Sequence, residues 1–142
     1  MSEANKAVAL KFIRAMSEND PVAAAECLAA DARAVATGNS KFKGARSARM
    51  MIDGIEAFKT LLPGGLRLTV ISAIADGDRV AVECEGDATT ADGTRYANSY
   101  VFVCTLAGGR IVLVNEYFCT VLADEVLWPL AQSAAGLSET AG

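Results

Sequence analysis

Apolar residues recur at helical spacing up to Leu62 and at alternate positions beyond it, which predicts helices first and a sheet afterwards. Val8, Leu10, Phe12, Ile13 and Met16 form an amphipathic stripe behind Ser2, a residue that can cap a helix. Asp20 and Pro21 restart the pattern, because Asp accepts well at an N-cap and the fixed φ of Pro suits the first helical position. This second helix is expected to end near Ala30, followed by a short β-like segment, RAVAT, and a loop from Gly38 to Gly44. A third helix is expected from about Ala45 to Leu62, with Met50, Met51, Ile55, Phe58, Leu61 and Leu62 available for packing; Pro63-Gly64-Gly65 stops it.

Four strand-like stretches follow: LRLTVISAIA, RVAVECEGDATT, YANSYVFVCTL and RIVLVNEYFCTVL. Turns at Asp76-Gly77-Asp78, at the ADG ending on Gly93, and at Gly108-Gly109 separate them, and such short connections imply an antiparallel meander. Helices before a sheet are an α+β order and not a βαβ repeat. No linker or repeat divides the chain, so residues 1–130 read as one domain. LADEVLWPL is expected to close it as a short helix or cover, and residues 131–142, small and polar, read as a loosely held tail.

The last strand poses the chemical question. By alternation, Val112, Val114, Glu116 and Phe118 share one face, and Leu113, Asn115, Tyr117 and Cys119 the other. A carboxylate in an apolar row is either a sheet-end acid, solvated or paired with Arg at a subunit contact, or an acid facing an apolar cavity. In a cavity the neutral form is favoured and the pKa rises, as a general acid or base near neutral pH requires. Glu83 and Glu85 share a face with Ala81, which fits a solvated outer surface or a polar concave face lining a pocket. If Glu83 approached Glu116, repulsion would couple their titrations. Asn98 and Tyr100, two residues apart, could polarise a carbonyl oxygen or serve as a cross-strand amide bond and a half-buried aromatic. Tyr117 reads as core or dimer contact; Trp128, Met16, Met50 and Met51 read as apolar wall.

Composition narrows the chemistry. The chain has no histidine, which removes Ser-His-Asp and Cys-His nucleophile pairs and H-E-x-x-H zinc sites. Acid–base work then falls to carboxylate, Tyr, Lys or Cys, and no metal or cofactor is expected. A net charge of −4 argues against nucleic acid as a partner. The one dense basic run, KFKGARSAR from Lys41 to Arg49, reads as a solvated loop and helix start or as an anion-attracting patch. Cys27, Cys84, Cys104 and Cys119 form no C-x-x-C pair and read as small buried hydrophobes. With no basic n-region followed by an apolar h-region, and no run near the roughly 18 apolar residues of a spanning helix, a cytoplasmic protein without a membrane partner is expected.

Three helices, a short strand and a curved meander resemble the nuclear transport factor 2-like α+β cone, and locally its SnoaL-like and ketosteroid-isomerase-related members. The segments that carry the likeness are FIRAMSENDPVAAAECLAADARAV, Gly44 before the third helix, and YANSYVFVCTLAGGRIVLVNEYFCT. The family's closing pattern of Asn-x-Tyr, apolar strand, turn before Ile, then acid-Tyr-Phe falls on Asn98, Tyr100, Gly109, Ile111, Glu116, Tyr117 and Phe118, with Cys119 where an Asp is frequent. The resemblance implies three N-terminal helices packed on a strongly curved antiparallel sheet (a cystatin-like α+β roll), with an apolar pocket between and a homodimer through the convex sheet face. Steroid isomerases keep a tyrosine and an aspartate at the positions that correspond to Phe12 and Ala36. Limonene-epoxide-hydrolase-like members place Arg-x-Asp where this chain has Glu83-Cys84-Glu85, and their final acid at Glu116. The resemblance therefore implies a pocket for a small hydrophobic molecule. Glu116 and Glu83 would be its acid–base groups, with Phe12, Met51, Glu85, Asn98, Tyr100 and Phe118 around the substrate. Two readings stand: a cofactor-independent isomerase, cyclase or hydratase, and a non-catalytic ligand-binding or dimerisation module.

Overall fold

The computed structural model describes residues 2–133. It opens with α1 (Ser2–Ser17) and α2 (Pro21–Cys27), joined by Asn19 in a left-handed conformation. Asp20 caps α2 by accepting from the Ala23 amide at 3.1 Å. The helix stops at Cys27, three residues before the expected end, because Leu28 turns extended and starts the nine-residue strand β1 (Leu28–Ala36). β2 (Gly44–Ser47) then pairs with β1, where the sequence pattern suggested the start of a helix. Ser47 explains the difference. Its hydroxyl accepts from the Met50 amide at 3.2 Å, so the N-cap lies there and α3 runs Ala48–Leu61.

The sheet continues through β3 (Leu68–Asp76), β4 (Arg79–Gly86), a two-residue hairpin of β5 (Ala88–Thr89) and β6 (Arg95–Tyr96), β7 (Ser99–Ala107) and β8 (Arg110–Phe118). The six-stranded order is β2-β1-β8-β7-β4-β3. Every pair is antiparallel except β1 with β8, which run parallel, so the meander closes back onto the early strand. The pairing slips by one residue in β3 and between β7 and β8, and by three in β1, and such bulges bend a sheet. The slip in β8 corrects one expectation: Ile111, not Val112, is fully buried behind Val114.

Helices cover the concave face, α1 against β3 and β4, α3 against β1 and α2. Phe12, Ile13, Leu62, Val80, Val82, Ile111 and Val114 are fully buried there, and each such side chain contributes about 1.5–3 kcal/mol. A fourth helix follows the sheet: α4 (Thr120–Leu122), a π-helical turn (Ala123–Leu127) and further helix to residue 133. The last strand therefore ends at Phe118 and not at Leu122. The expected polar tail begins inside this helix, and 134–142 lie outside the described residues. Among the described residues no helix is long and apolar enough to cross a membrane.

The loop after α3 docks onto the end of α1: Ser17 Oγ accepts from the Leu68 amide at 2.8 Å. Gly65 sits there at φ +80°, and a Cβ on it would lie 2.0 Å from the Ser17 carbonyl oxygen. Gly65→Ala is expected to lose more than the roughly 1–3 kcal/mol of the left-handed backbone alone, because the clash adds to it. Equilibrium denaturant unfolding measures this, and unchanged stability would show that the loop shifts without cost.

Candidate functional site

Between the helices and the concave sheet lies a cavity of about 180 Å³. All five phenylalanines of the chain (Phe12, Phe42, Phe58, Phe102 and Phe118) line it, along with two of the three tyrosines, Tyr96 and Tyr100. Tyr100 stacks on Phe102, ring centroids 5.5 Å apart and planes 11° apart, and makes a tilted contact with Phe118. Met16, Met51, Ile55, Leu66 and Leu127 complete the apolar wall. Among the described residues, the only charged groups on the lining are Glu116 and Arg46.

Sheet register accounts for Glu116. It stands opposite Phe102 on β7 and opposite Ala36 on β1, so it faces inward. Its backbone carbonyl accepts from the Thr37 amide at 3.1 Å and the Thr37 hydroxyl at 2.9 Å, which holds this part of β8 in place. The side chain is 13% exposed and its carboxylate accepts a hydrogen bond from Arg46 Nη2. Arg46 comes from the edge strand β2, where it pairs with Ala34. Ala34 and Ala36 on the intervening strand are buried and small, which leaves the guanidinium a path across β1. Burial pushes the Glu116 carboxyl above the ordinary carboxylate value, against the pull of the Arg46 charge and hydrogen bond. The Arg46 Nε–H is buried without a hydrogen-bond partner.

A second polar element sits in the same cavity. Tyr96, Asn98 and Tyr100 are all buried. The Asn98 amide nitrogen donates to Tyr96 Oη at 2.9 Å and to the Cys119 carbonyl at 3.1 Å. Its Oδ1 accepts from the Ser99 and Cys119 amides at 2.8 and 3.0 Å. Asn98 is thus fully engaged inside the protein and does not line the cavity, so the expected direct contact with a ligand oxygen is corrected to a supporting position behind Tyr96. Burial raises both Tyr96 and Tyr100 above the ordinary phenol value.

Phe12, Met51, Tyr100, Phe118 and Glu116 all reach the cavity, while Glu83 and Glu85 do not. Both are exposed on the outer sheet face, where Ser72 and Ser99 hydroxyls donate to them at 3.2 and 2.9 Å. The assignment of Glu83 as a companion acid is therefore corrected: strict alternation on β4 turns Val80, Val82 and Cys84 inward and sends both acids outward. Sequence reasoning did not place Arg46 in the site, its basic run being read as a solvated loop and helix start or an anion-attracting patch, and it missed Tyr96. The two-residue spacing of Tyr96, Asn98 and Tyr100 was the available signal for the tyrosine. Cys27, Cys84 and Cys104 are buried and Cys119 is exposed. Burial lifts the Cys84 thiol to about 11 and the Cys104 thiol to about 12, which keeps both protonated.

The π-helical turn completes the wall through Ala123 and Leu127. On it, Asp124 accepts from Ser40 Oγ at 2.7 Å and from the Lys41 amide at 3.0 Å. This ties down the loop that carries Phe42, whose ring also meets Trp128 edge-on at 5.1 Å.

Folding holds a proton on Glu116 more firmly than the unfolded chain does. The stability this contributes is full below the ordinary carboxylate value and is lost as pH rises through the raised one. Glu116→Gln removes that titration. Between about pH 4 and 8 the wild type should lose stability relative to the variant as pH rises, measured by chemical unfolding at each pH. Parallel pH profiles would show that Glu116 does not titrate in this window.

The SnoaL-like domain family matches residues 9–114. No curated protein sequence matches the chain. Solved structures share the fold at low identity. An NTF2-like protein from Burkholderia xenovorans is 16% identical over 86% of this chain and 94% of its own, with a TM-score of 0.69. Bal32a, from a soil-derived mobile gene cassette, is 18% identical over 87% and 96%, with a TM-score of 0.76. TerC, co-crystallised with polyporic acid, is 23% identical over 87% and 97%, with a TM-score of 0.73. The match over residues 9–114 shows that this chain belongs to the SnoaL-like domain family, here with an α+β roll around an apolar cavity.

Proposed function

We propose that the cavity binds a small, flat, apolar molecule bearing a carbonyl group and that Glu116 moves a proton at the carbon beside that carbonyl, without a cofactor. The observation that carries this reading is a single carboxyl, raised by burial, on an otherwise aromatic wall that also holds two tyrosine hydroxyls. Tyr96 Oη already accepts from Asn98, so its own proton is left to donate to the ligand oxygen as negative charge develops there. Arg46 would hold Glu116 in position and steady its ionised form between transfers. A cavity of about 150 Å³ holds benzene, so about 180 Å³ suits one substituted ring. Isomerisation and cyclisation can begin with such a proton transfer, and hydration of a conjugated carbonyl ends with one, the proton going to the α-carbon after water adds at the next carbon.

A second reading, a non-catalytic ligand-binding module, draws support from Phe12 and Ala36. They line the cavity at the positions where steroid isomerases carry their tyrosine and aspartate. Hydrogen–deuterium exchange at the α-carbon of one-ring ketones, followed by NMR in D₂O, separates the two. Catalysed exchange is expected in the wild type, with a loss of about 10²–10⁴-fold in Glu116→Gln. Ligand binding with no exchange above background would drop the catalytic reading and keep the binding one.

The same reading includes a homodimer through the outer sheet face. Ile74, Val101 and Tyr117 are exposed there on three different strands of one sheet, an apolar surface suited to a second copy. Tyr117→Asp combined with Ile74→Asp is expected to convert dimer to monomer in sedimentation velocity; a monomeric wild type would end this part of the proposal. A cytoplasmic location fits as well, since the four thiols are unpaired and a reducing compartment keeps them so.

A further inference from the structure

Arg46 has more binding capacity than its bond to Glu116 uses. Arg46 carries a permanent charge on an aromatic wall, it engages Glu116 through Nη2 only, and its Nε–H has no partner. The Arg46 side chain is also more open to solvent than the acid, 36% exposed against 13% for Glu116. Around it, residues 37–52 hold Lys41, Lys43, Arg46 and Arg49 and no acid, in a chain of net charge −4. Arg49 pairs with Asp53, and Asp124 meets this segment at the Ser40 hydroxyl and the Lys41 amide; Lys41 and Lys43 are exposed on either side of Phe42, which lines the cavity. A local excess of positive charge beside a low-dielectric cavity concentrates small anions at its rim.

An anion that reaches Arg46 meets Glu116 on the same guanidinium. Two negative groups sharing one positive charge in an apolar cavity is costly, and the cost is removed when the carboxylate takes a proton. Glu116 can do this, since burial already favours its neutral form. The groups facing it are Arg46 from β2, Tyr96 from β6, and Tyr100 and Cys104 from β7; α1, α3 and the π-helical turn present only uncharged side chains to the cavity. The tyrosines and Cys104 are all raised well above neutrality, which leaves Glu116 as the group that changes charge.

We propose that the cavity's ligand is a singly charged one-ring aromatic anion held by Arg46, and that Glu116 takes up one proton from solvent as it binds. This rests on the reading of the cavity as a small-molecule pocket; it replaces the uncharged ligand of that reading with an anion and makes Glu116 a proton donor, not a base, in the complex. The ring lies among the phenylalanines, and the anionic oxygen replaces the Glu116 carboxylate on the guanidinium, where a planar two-oxygen group can engage Nε and Nη2 together. Glu116, now neutral, has a proton to offer the same ligand.

Isothermal titration calorimetry with benzoate and its neutral isostere benzamide tests this on the intact chain. Benzoate is expected to bind at least about tenfold more tightly than benzamide. Its affinity should fall as pH rises above the value of free Glu116, by up to about tenfold per pH unit, since one proton is taken up per anion. Glu116→Gln should bind benzoate with no such pH dependence, and Arg46→Met should lose the preference for benzoate. If Arg46→Met does not fold, the benzoate–benzamide pair on the wild type and the pH dependence of Glu116→Gln decide the matter. Equal or tighter binding of benzamide, or a wild-type benzoate affinity that is flat with pH, would overturn the anion assignment and leave the pocket reading standing. Binding of neither compound at millimolar concentration would overturn both.

Discussion

An ionised carboxylate in an apolar cavity needs a counter-charge, and much of the local architecture around Glu116 exists to bring one. Arg46 sits on the edge strand, separated from Glu116 by β1, and reaches it across two buried alanines. That geometry requires β2 to be a strand and β1 to pair in parallel with β8; it also requires small side chains at Ala34 and Ala36. Buried ion pairs contribute little net stability, because desolvation offsets most of the attraction. Here burial raises the Glu116 carboxyl and the Arg46 charge and hydrogen bond draw it only partly back.

The tyrosine cluster follows a different logic. Asn98 satisfies three backbone groups, the Ser99 amide and the Cys119 amide and carbonyl, and with its remaining hydrogen bond it orients Tyr96. A residue committed to the fold thereby sets the direction of a hydroxyl in the cavity. Asp124 plays a comparable part on the opposite wall, where its bonds to Ser40 and Lys41 hold Phe42 in the lining. Aromatic shape and polar orientation in this cavity are both imposed by hydrogen bonds lying outside it.

Which acid faces inward was partly legible from alternation. Beyond the bulge at Val112 the period of two holds, so Val114, Glu116 and Phe118 do share the inner face. The same rule, applied to β4, sends Glu83 and Glu85 outward; the family likeness had suggested the opposite, and the alternation of Val80, Val82 and Cys84 was the better guide. Helix ends were less legible. The Ala-rich run after Cys27 has helical propensity, yet pairing with β8 draws it into a strand, and Gly44–Ser47 becomes a strand because β1 offers it an edge.

The sequence by itself determined that helices precede an antiparallel sheet, that histidine chemistry is absent, and that one acid lies in an otherwise apolar row, because those facts depend on local period and composition. Only the tertiary structure decided that Arg46 meets that acid, that Tyr96 rather than Asn98 faces the cavity, and that all five phenylalanines converge on one space. Each of these depends on contacts between segments tens of residues apart, and sheet register, not local pattern, chooses which side chains those contacts bring together.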